Sequence, residues 1–245
     1  MVPLVGSGVW FGSTGYSGPR GIFALGNNTT TTNMYIYSNN AVIFGTNLTG
    51  DTEWGAAAGN STLGIFAIGN TTVTTNIYTY ASNGVAAGTS LTADLDEGAA
   101  AGNSTLGIFA IGNNTVTTNI YTYSSNGVTA GTNLTADLDG GAATGNSTLG
   151  IFAIGNSGSG AAPTTNIYTY SSNGVTAGTN LTANLYGGAA AGNSTLGIFA
   201  TGYNGNGPAP TTNIYTYSSN GVTAGTNLTG DSEAGAAASS SPGGF

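Results

Sequence analysis

The sequence predicts an all-β fold, a five-bladed β-propeller whose blades are four-stranded antiparallel sheets. The first observation is a repeated block, Gly-Ile-Phe-Ala, which begins at Gly21, Gly64, Gly107, Gly150 and Gly197. The second is that each repeat contains four short segments rich in β-branched, aromatic or small residues, separated by turn residues. A repeat of about 43 residues with four strands is typical of a propeller blade. No segment shows helical periodicity with capping signals.

The second repeat shows the four predicted strands in order. The first is the small-residue run 55–58, and the second is the apolar run 64–69. The third, 76–80, reads Asn-Ile-Tyr-Thr-Tyr, and an Asn-Gly pair of the kind favoured in tight hairpins precedes the fourth, 85–91. The small residues fit an innermost strand, where blades converge. Both faces of each blade must be apolar or aromatic, because neighbouring blades cover them.

Ten of the thirteen tyrosines lie in the third strand of a repeat, which predicts an aromatic layer between blades. Within that strand, Tyr78 and Tyr80 point to one face, and Ile77 and Thr79 point to the other. The fourth and fifth repeats carry insertions, at 157–163 and 204–210, which we expect to be loops.

The first strand predicts how the ring closes. It occurs five times, and the last copy, Gly235 to Ser239, has no second strand after it. The N-terminal repeat has only Ser13 to Tyr16 in that place. We therefore expect the C-terminal strand to complete the N-terminal blade, which leaves no exposed inner edge. This divides the chain into an N-terminal arm (1–20), the propeller (21–241) and a short tail (242–245).

The N-terminal arm contains aromatic residues and the only cation of the chain: Trp10, Phe11, Tyr16 and Arg20. One hypothesis is that the arm attaches the disc to a partner, through virion contacts or contacts between copies of the chain. The alternative is a loosely packed terminus.

The repeat resembles that of kelch proteins over residues 21–241. Gly-Ile-Phe-Ala-Ile-Gly-Asn stands where kelch repeats have an apolar strand ending in Gly-Gly, and Asn-Ile-Tyr-Thr-Tyr stands at their tyrosine-bearing strand. The second glycine is replaced by Asn70, Asn113 and Asn156, and the fourth-strand tryptophan is absent. The resemblance is to degenerate kelch-like arrays of phage and bacterial surface proteins. It implies the propeller fold and gives little information about activity.

Composition excludes several functions. The chain has one Arg and no Lys, His or Cys, so it lacks the usual bases for acid–base or nucleophilic catalysis and the ligands for zinc. We therefore expect no enzyme activity. The net charge of −8 argues against nucleic-acid binding and against attraction to anionic lipid. No apolar run is long enough for membrane insertion, and the start shows no signal peptide.

The loops that join one repeat to the next contain every acidic residue of the chain. In a propeller these loops and the strand 2–3 loops share one face, and here that face varies between repeats while the other is nearly constant. We predict a ligand-binding face made of these loop residues: Asp51, Glu53, Trp54, Asp94, Asp96, Glu97, Asp137, Asp139, Asn184, Tyr186, Asp231 and Glu233.

Two kinds of ligand fit this face. Clustered carboxylates could bind Ca²⁺, although the sequence requires no cofactor. Carboxylates could also hydrogen-bond sugar hydroxyls, with Trp54 and Tyr186 as stacking platforms. The alternative is that these are polar turn residues that only supply solubility.

The resulting functional prediction is a non-enzymatic structural and recognition module on an exposed surface, in a phage virion (decoration or tail) or on a bacterial surface. Its variable acidic face would contact a glycan or a protein. The first alternative is a free multivalent lectin with one shallow carbohydrate site per blade. A glycosidase that uses paired carboxylates is a further alternative.

Overall fold

A computed structural model describes residues 20–26, 28–156 and 160–231, with the side chain of Arg20 excepted. The chain folds as an all-β, five-bladed β-propeller, as the sequence predicts. In the described parts of the chain, no helix has the length and apolar character needed to cross a membrane.

Strands at the same place in each blade have nearly the same bounds. The first strands are β4 (Ala56–Gly59), β8 (Ala99–Gly102), β12 (Ala142–Gly145) and β16 (Ala189–Gly192). The second strands are β1 (Arg20–Ala24), β5 (Leu63–Ala67), β9 (Leu106–Ala110), β13 (Leu149–Asn156) and β17 (Leu196–Tyr203). The third strands are β2 (Thr32–Ile36), β6 (Thr75–Thr79), β10 (Thr118–Thr122), β14 (Ala161–Thr169) and β18 (Pro208–Thr216). The fourth strands are β3 (Ala41–Phe44), β7 (Gly84–Ala87), β11 (Gly127–Ala130), β15 (Gly174–Ala177) and β19 (Gly221–Ala224).

Each blade is an antiparallel meander. Blade 1 is β1–β3, and blades 2 to 5 are the four-stranded sheets β4–β7, β8–β11, β12–β15 and β16–β19. The first strands β4, β8, β12 and β16 contact each other in turn, so the small-residue strands surround the central axis. The predicted strand 235–239 and the arm residues Trp10, Phe11 and Tyr16 lie outside the described residues, as do Glu233 and the tail. Arg20 begins β1, where its backbone pairs with Ile36.

The expectation that the insertions of blades 4 and 5 form loops was wrong in part, because residues 161–163 and 208–210 belong to the third strands β14 and β18. Residues 204–207 stay in the connection, and 157–159 lie outside the described residues. In blade 4, β13 and β14 pair from Leu149↔Thr169 to Asn156↔Ala161, with a register shift between Ala153 and Gly155. In blade 5, β17 and β18 shift in the same place, between Ala200 and Gly202. The extended pairing joins Gly155 to Ala162 in blade 4 and Gly202 to Ala209 in blade 5.

The apolar core is divided into four clusters, and each lies between two neighbouring blades. Between blades 2 and 3, for example, Ile65 and Leu91 of the earlier blade pack against Phe109, Ile111 and Tyr121 of the next. The third-strand tyrosines pack beside the second-strand phenylalanines, as in the edge-on pair Phe109–Tyr121 with ring centroids 6.4 Å apart. The predicted aromatic layer between blades is therefore confirmed.

Polar contacts at each of these interfaces form what we call the inter-blade lock. The hydroxyl of a third-strand tyrosine reaches back to the glycine that ends the fourth strand of the preceding blade. A Cβ built on Gly88 would lie 2.7 Å from the Tyr121 hydroxyl oxygen and closer still to Thr75 Oγ1. Only glycine fits this approach. The same arrangement recurs between Gly45 and Tyr78, Gly131 and Tyr168, and Gly178 and Tyr215.

Two asparagines of the later blade complete each lock. In blade 3, the turn residue Asn126 accepts the hydrogen bond of the Tyr121 hydroxyl, and its Oδ1 also accepts one from the backbone N of Thr89, 2.9 Å away. The buried Asn119 accepts from the backbone N of Thr92 at 2.7 Å. The segment between blades 2 and 3 is thus held at three points. Because the lock needs Gly, Thr, Tyr and Asn at fixed spacing, it explains why these residues repeat.

Replacing Gly88 by Ala should lower the free energy of unfolding by about 1–3 kcal/mol, since the new Cβ would overlap the Tyr121 hydroxyl and Thr75. Urea denaturation monitored by tyrosine fluorescence measures the change. Gly230→Ala is the matched control, because a Cβ there meets nothing within 4 Å. Equal stability of the two variants would contradict the role assigned to the lock.

Candidate functional site

The inter-blade loops (51–54, 94–97, 137–140 and 184–187) are fixed between two blades by backbone pairing. The second residue of each loop forms an antiparallel bridge to the strand 2–3 connection of the preceding blade, as in Thr72↔Leu95. The third residue forms a parallel bridge to the next blade, as in Asp96↔Gly112. The inter-blade loops and the strand 2–3 connections therefore lie together, which confirms that they share one face.

Burial alternates along these loops and separates the acids into two sets. The second residue is buried: Leu95, Leu138 and Leu185 have no exposed surface. The first acid of each loop is exposed on the outer side, as are Asp51, Asp94 and Asp137, and Asp231 is also exposed. The third residue, which is Glu53, Asp96, Asp139 or Tyr186, is half-buried. The acid at the third position is therefore less exposed than the acid at the first position, and a buried residue lies between them.

Residues at the third and fourth loop positions line a cavity of about 510 Å³ at one end of the central channel, which we call the channel mouth: Glu53, Trp54, Glu97, Gly140, Tyr186 and Gly187. Its walls are the beginnings of the first strands, including Ala56–Ala57, Ala99–Ala100, Ala142–Ala143 and Ala189–Ala190. Its polar and aromatic lining is Glu53, Trp54, Glu97 and Tyr186. The cavity has the size of a small-ligand site.

Glu97 and Tyr186 contact each other at the channel mouth although they are separated by two blades. The Tyr186 hydroxyl donates a hydrogen bond to Glu97 Oε2, 3.0 Å away. Burial raises the pKa of Glu97; the Tyr186 hydrogen bond opposes this shift, and the nearby Asp139 and Asp96 add to it. Burial, together with the hydrogen bond to Glu97 and its charge, raises the pKa of Tyr186 to about 12. Tyr186 is therefore a hydrogen-bond donor at neutral pH, and Glu97 is its acceptor.

The backbone at the fourth loop position favours glycine. Gly140 and Gly187 occupy it with φ of 57° and 59°. Trp54 and Glu97 adopt the same left-handed conformation, with φ of 53° and 50°. A Cβ in this region costs on the order of 1–2 kcal/mol. Trp54 and Glu97, which line the channel mouth, thus adopt a backbone conformation that disfavours a side chain.

The channel mouth unites four of the twelve residues predicted to bind ligand: Glu53, Trp54, Glu97 and Tyr186. Asp96 and Asp139 lie close enough to act on Glu97 electrostatically. Their carboxylates also accept hydrogen bonds from Thr71 and Asn114 at 3.3 Å. The exposed Asp51, Asp94, Asp137 and Asp231 do not line the cavity, and neither does Asn184.

Sequence reasoning missed the alanine walls of the channel mouth and the backbone hydrogen bonds between successive inter-blade loops. In these bonds Gly140 N donates to Glu97 O at 3.0 Å, and Gly187 N donates to Gly140 O at 2.7 Å. The glycines at the fourth loop position were the available signal. For Ca²⁺, no group of three or more His, Cys, Asp or Glu side chains arranged to hold a metal is found among the described residues.

Comparison with known proteins gives the fold and no more. No family model matches the chain, so the kelch resemblance stays a prediction. No curated protein matches it in sequence. Among solved structures, that of YjhT is similar, with a TM-score of 0.60 at 9% identity over 72% of this chain. The match spans 66% of the YjhT chain, just under two thirds of its length. At this identity the similarity supports the propeller architecture and says nothing of ligand or activity.

Two substitutions of Trp54 that both remove its indole ring measure the energetic cost of its left-handed backbone conformation. Trp54→Gly should be more stable than Trp54→Ala by about 1 kcal/mol, because only alanine keeps a Cβ at positive φ. Denaturant unfolding of both variants measures the difference. An alanine variant as stable as the glycine variant would show that the conformation costs nothing.

The raised pKa of Glu97 predicts a pH-dependent effect on stability. Because the pKa of Glu97 is raised in the folded state, its ionised carboxylate lowers the free energy of unfolding. This loss of stability disappears as pH falls through the folded pKa and the carboxyl becomes protonated. Glu97→Gln should therefore be more stable than the parent at pH 7, and the two should converge near pH 4. Thermal unfolding across this range measures the effect, with Asp94→Asn as the control from the exposed set. A difference independent of pH would contradict the prediction.

Proposed function

We propose that this protein is a non-catalytic recognition module that binds a glycan at the channel mouth. One observation carries the proposal: acceptor carboxylates and two aromatic side chains from different blades converge on one cavity of about 510 Å³. Sugar hydroxyls are donors to carboxylates, and the apolar face of a sugar ring stacks on aromatic rings. A protein segment inserted into the same cavity is the other ligand consistent with this lining.

The side chains at the channel mouth fit this ligand in detail. Trp54 is 49% exposed, which leaves its ring free to stack. Glu97 and Glu53 offer acceptors, and Tyr186 offers a hydroxyl beside them. The chain contains one cation and nine acids, so the carboxylates of the channel mouth suit a neutral ligand rich in hydroxyl groups.

The geometry favours one ligand for each chain over the multivalent lectin. A lectin with one site per blade needs a separate concavity on each blade. Here the inner loop residues of different blades meet at a single axis, and their sequences differ: Trp54, Glu97, Gly140 and Gly187 occupy equivalent positions. A site made of non-equivalent parts suits one ligand held in one orientation.

The proposed setting is an exposed surface, in a phage virion or on a bacterial cell, with the chain as a degenerate kelch-like array. Its support is compositional, namely one cation, nine acids and an abundance of small and polar residues. The absence of His, Cys and Lys supports the non-catalytic part of the proposal.

Binding is tested first on a glycan array, with Ca²⁺ and then with EDTA, followed by calorimetry with the glycan that binds. We expect about one glycan per chain. The double variant Trp54→Ala/Glu97→Gln should bind at least about tenfold more weakly, because it loses a stacking platform and a charged acceptor. A stoichiometry of about five would favour the multivalent lectin instead.

The matched control is the triple variant Asp51→Asn/Asp94→Asn/Asp137→Asn, which removes three charges from the outer side of the same loops. It should bind like the parent. If the outer variant loses binding and the inner variant keeps it, the site is not at the channel mouth. Mass spectrometry of the recovered glycan tests the non-catalytic part, which cleavage would refute.

A further inference from the structure

Five of the six large hydrophobic side chains that are exposed in the described residues lie on two blade faces. These are Leu25, Val42 and Phe44 on blade 1, and Ile198 and Leu228 on blade 5; the sixth, Trp54, is at the channel mouth. The two faces are those that would meet where the ring returns to its start. We call this place the seam.

On blade 5, hydrophobic residues of the seam face are exposed, whereas the residues at the same repeat positions in the other blades are covered. Leu228 is 45% exposed, whereas Leu48, Leu91, Leu134 and Leu181 at the same repeat position are each 4% exposed. Ile198 is 37% exposed, and its counterparts Ile65, Ile108 and Ile151 are completely buried. In blades 1 to 4 the next blade covers these residues. In blade 5 they remain exposed among the described residues.

On blade 1, the opposite face shows the same contrast. Leu25 is 51% exposed, and its counterparts Ile68 and Ile111 are at most 5% exposed. Val42 pairs with Tyr35 across β2 and β3, so both lie on the face that in other blades receives the preceding blade. Phe44, two residues further along β3, lies on this face and replaces an alanine of the other repeats.

The sequence retains every partner of a fifth inter-blade lock at the seam. Blade 1 has Tyr35, Asn33 and the turn residue Asn40, which also adopts positive φ (55°). Blade 5 has Gly225, Thr226 and Thr229 at the matching positions. In the described residues the two halves do not meet: a Cβ on Gly225 would contact only Thr212 and Ile214, with no tyrosine hydroxyl beside them. The Tyr35 hydroxyl donates a hydrogen bond to Asn40 within blade 1, as the equivalent tyrosine does in the other blades.

We propose that the seam is a latch: blade 5 closes on blade 1 through this fifth lock, and the seam opens while the other four interfaces stay packed. Closure places the Tyr35 hydroxyl at Gly225, turns Asn40 to the backbone of Thr226, and buries Leu25 and Leu228 against each other. The open arrangement exposes apolar surface that closure would remove from water.

Engineered cysteines test the latch directly, because the chain has no cysteine of its own. The test pair is Leu25→Cys with Leu228→Cys. The matched control is Leu48→Cys with Ile68→Cys, which occupy the same repeat positions at the packed interface of blades 1 and 2. Dilute protein is oxidised and disulfide formation is followed by non-reducing gel electrophoresis and intact mass. We expect an intramolecular disulfide in both proteins, formed several-fold more slowly across the seam.

Each other outcome overturns the latch. Equal rates would mean a permanently closed ring, and a cross-link in the control alone would mean that the seam does not close. Cross-linked dimers at low concentration would assign the seam to a contact between copies.

Tyr35→Phe in the test pair should slow cross-linking about fivefold by removing the lock hydroxyl, whereas Tyr78→Phe should not. No effect of Tyr35→Phe would show that the lock does not drive closure.

Discussion

The close approach of each third-strand tyrosine to the glycine of the preceding blade is the constraint on which the rest of the structure depends. It requires a residue without Cβ at the end of each fourth strand, and it places the hydroxyl within reach of the turn asparagine and the incoming threonine backbone. Because the contact joins neighbours only, stability is distributed as nearest-neighbour interfaces, which is typical of repeat proteins. Four apolar clusters, each between two blades, follow from the same arrangement.

The lock also explains how a chain of near-identical repeats produces one specific site. By fixing the segment after the fourth strand, it delivers each of the four described inter-blade loops to the same end of the central channel. Because the fourth position of these loops is Trp54, Glu97, Gly140 and Gly187 in turn, the channel mouth is asymmetric although its frame is repetitive. The positive φ of Trp54 and Glu97 fits a site where side chains are retained at a cost to stability.

The exposed faces at the seam can be interpreted from the packing of the four covered interfaces. Covered faces at four interfaces define how blades pack, and exposed faces at the fifth place show that the chain has the chemistry for one more contact of that kind. Under the latch proposal, this fifth contact opens while the other four stay packed.

By itself, the sequence determined the repeat, the order of strands, the aromatic layer and the face on which the acids lie. These follow from local periodicity and from the spacing of turn residues, which are visible in one chain. It could not separate the exposed Asp94 from the half-buried Asp96, because their exposure depends on how two blades pack around the loop. It could not foresee that the last residues of each insertion join the third strand, since pairing needs both sides of the hairpin in register. Only tertiary structure decided that Glu97 meets Tyr186, because a contact between residues 89 positions apart depends on how the blades surround a common axis.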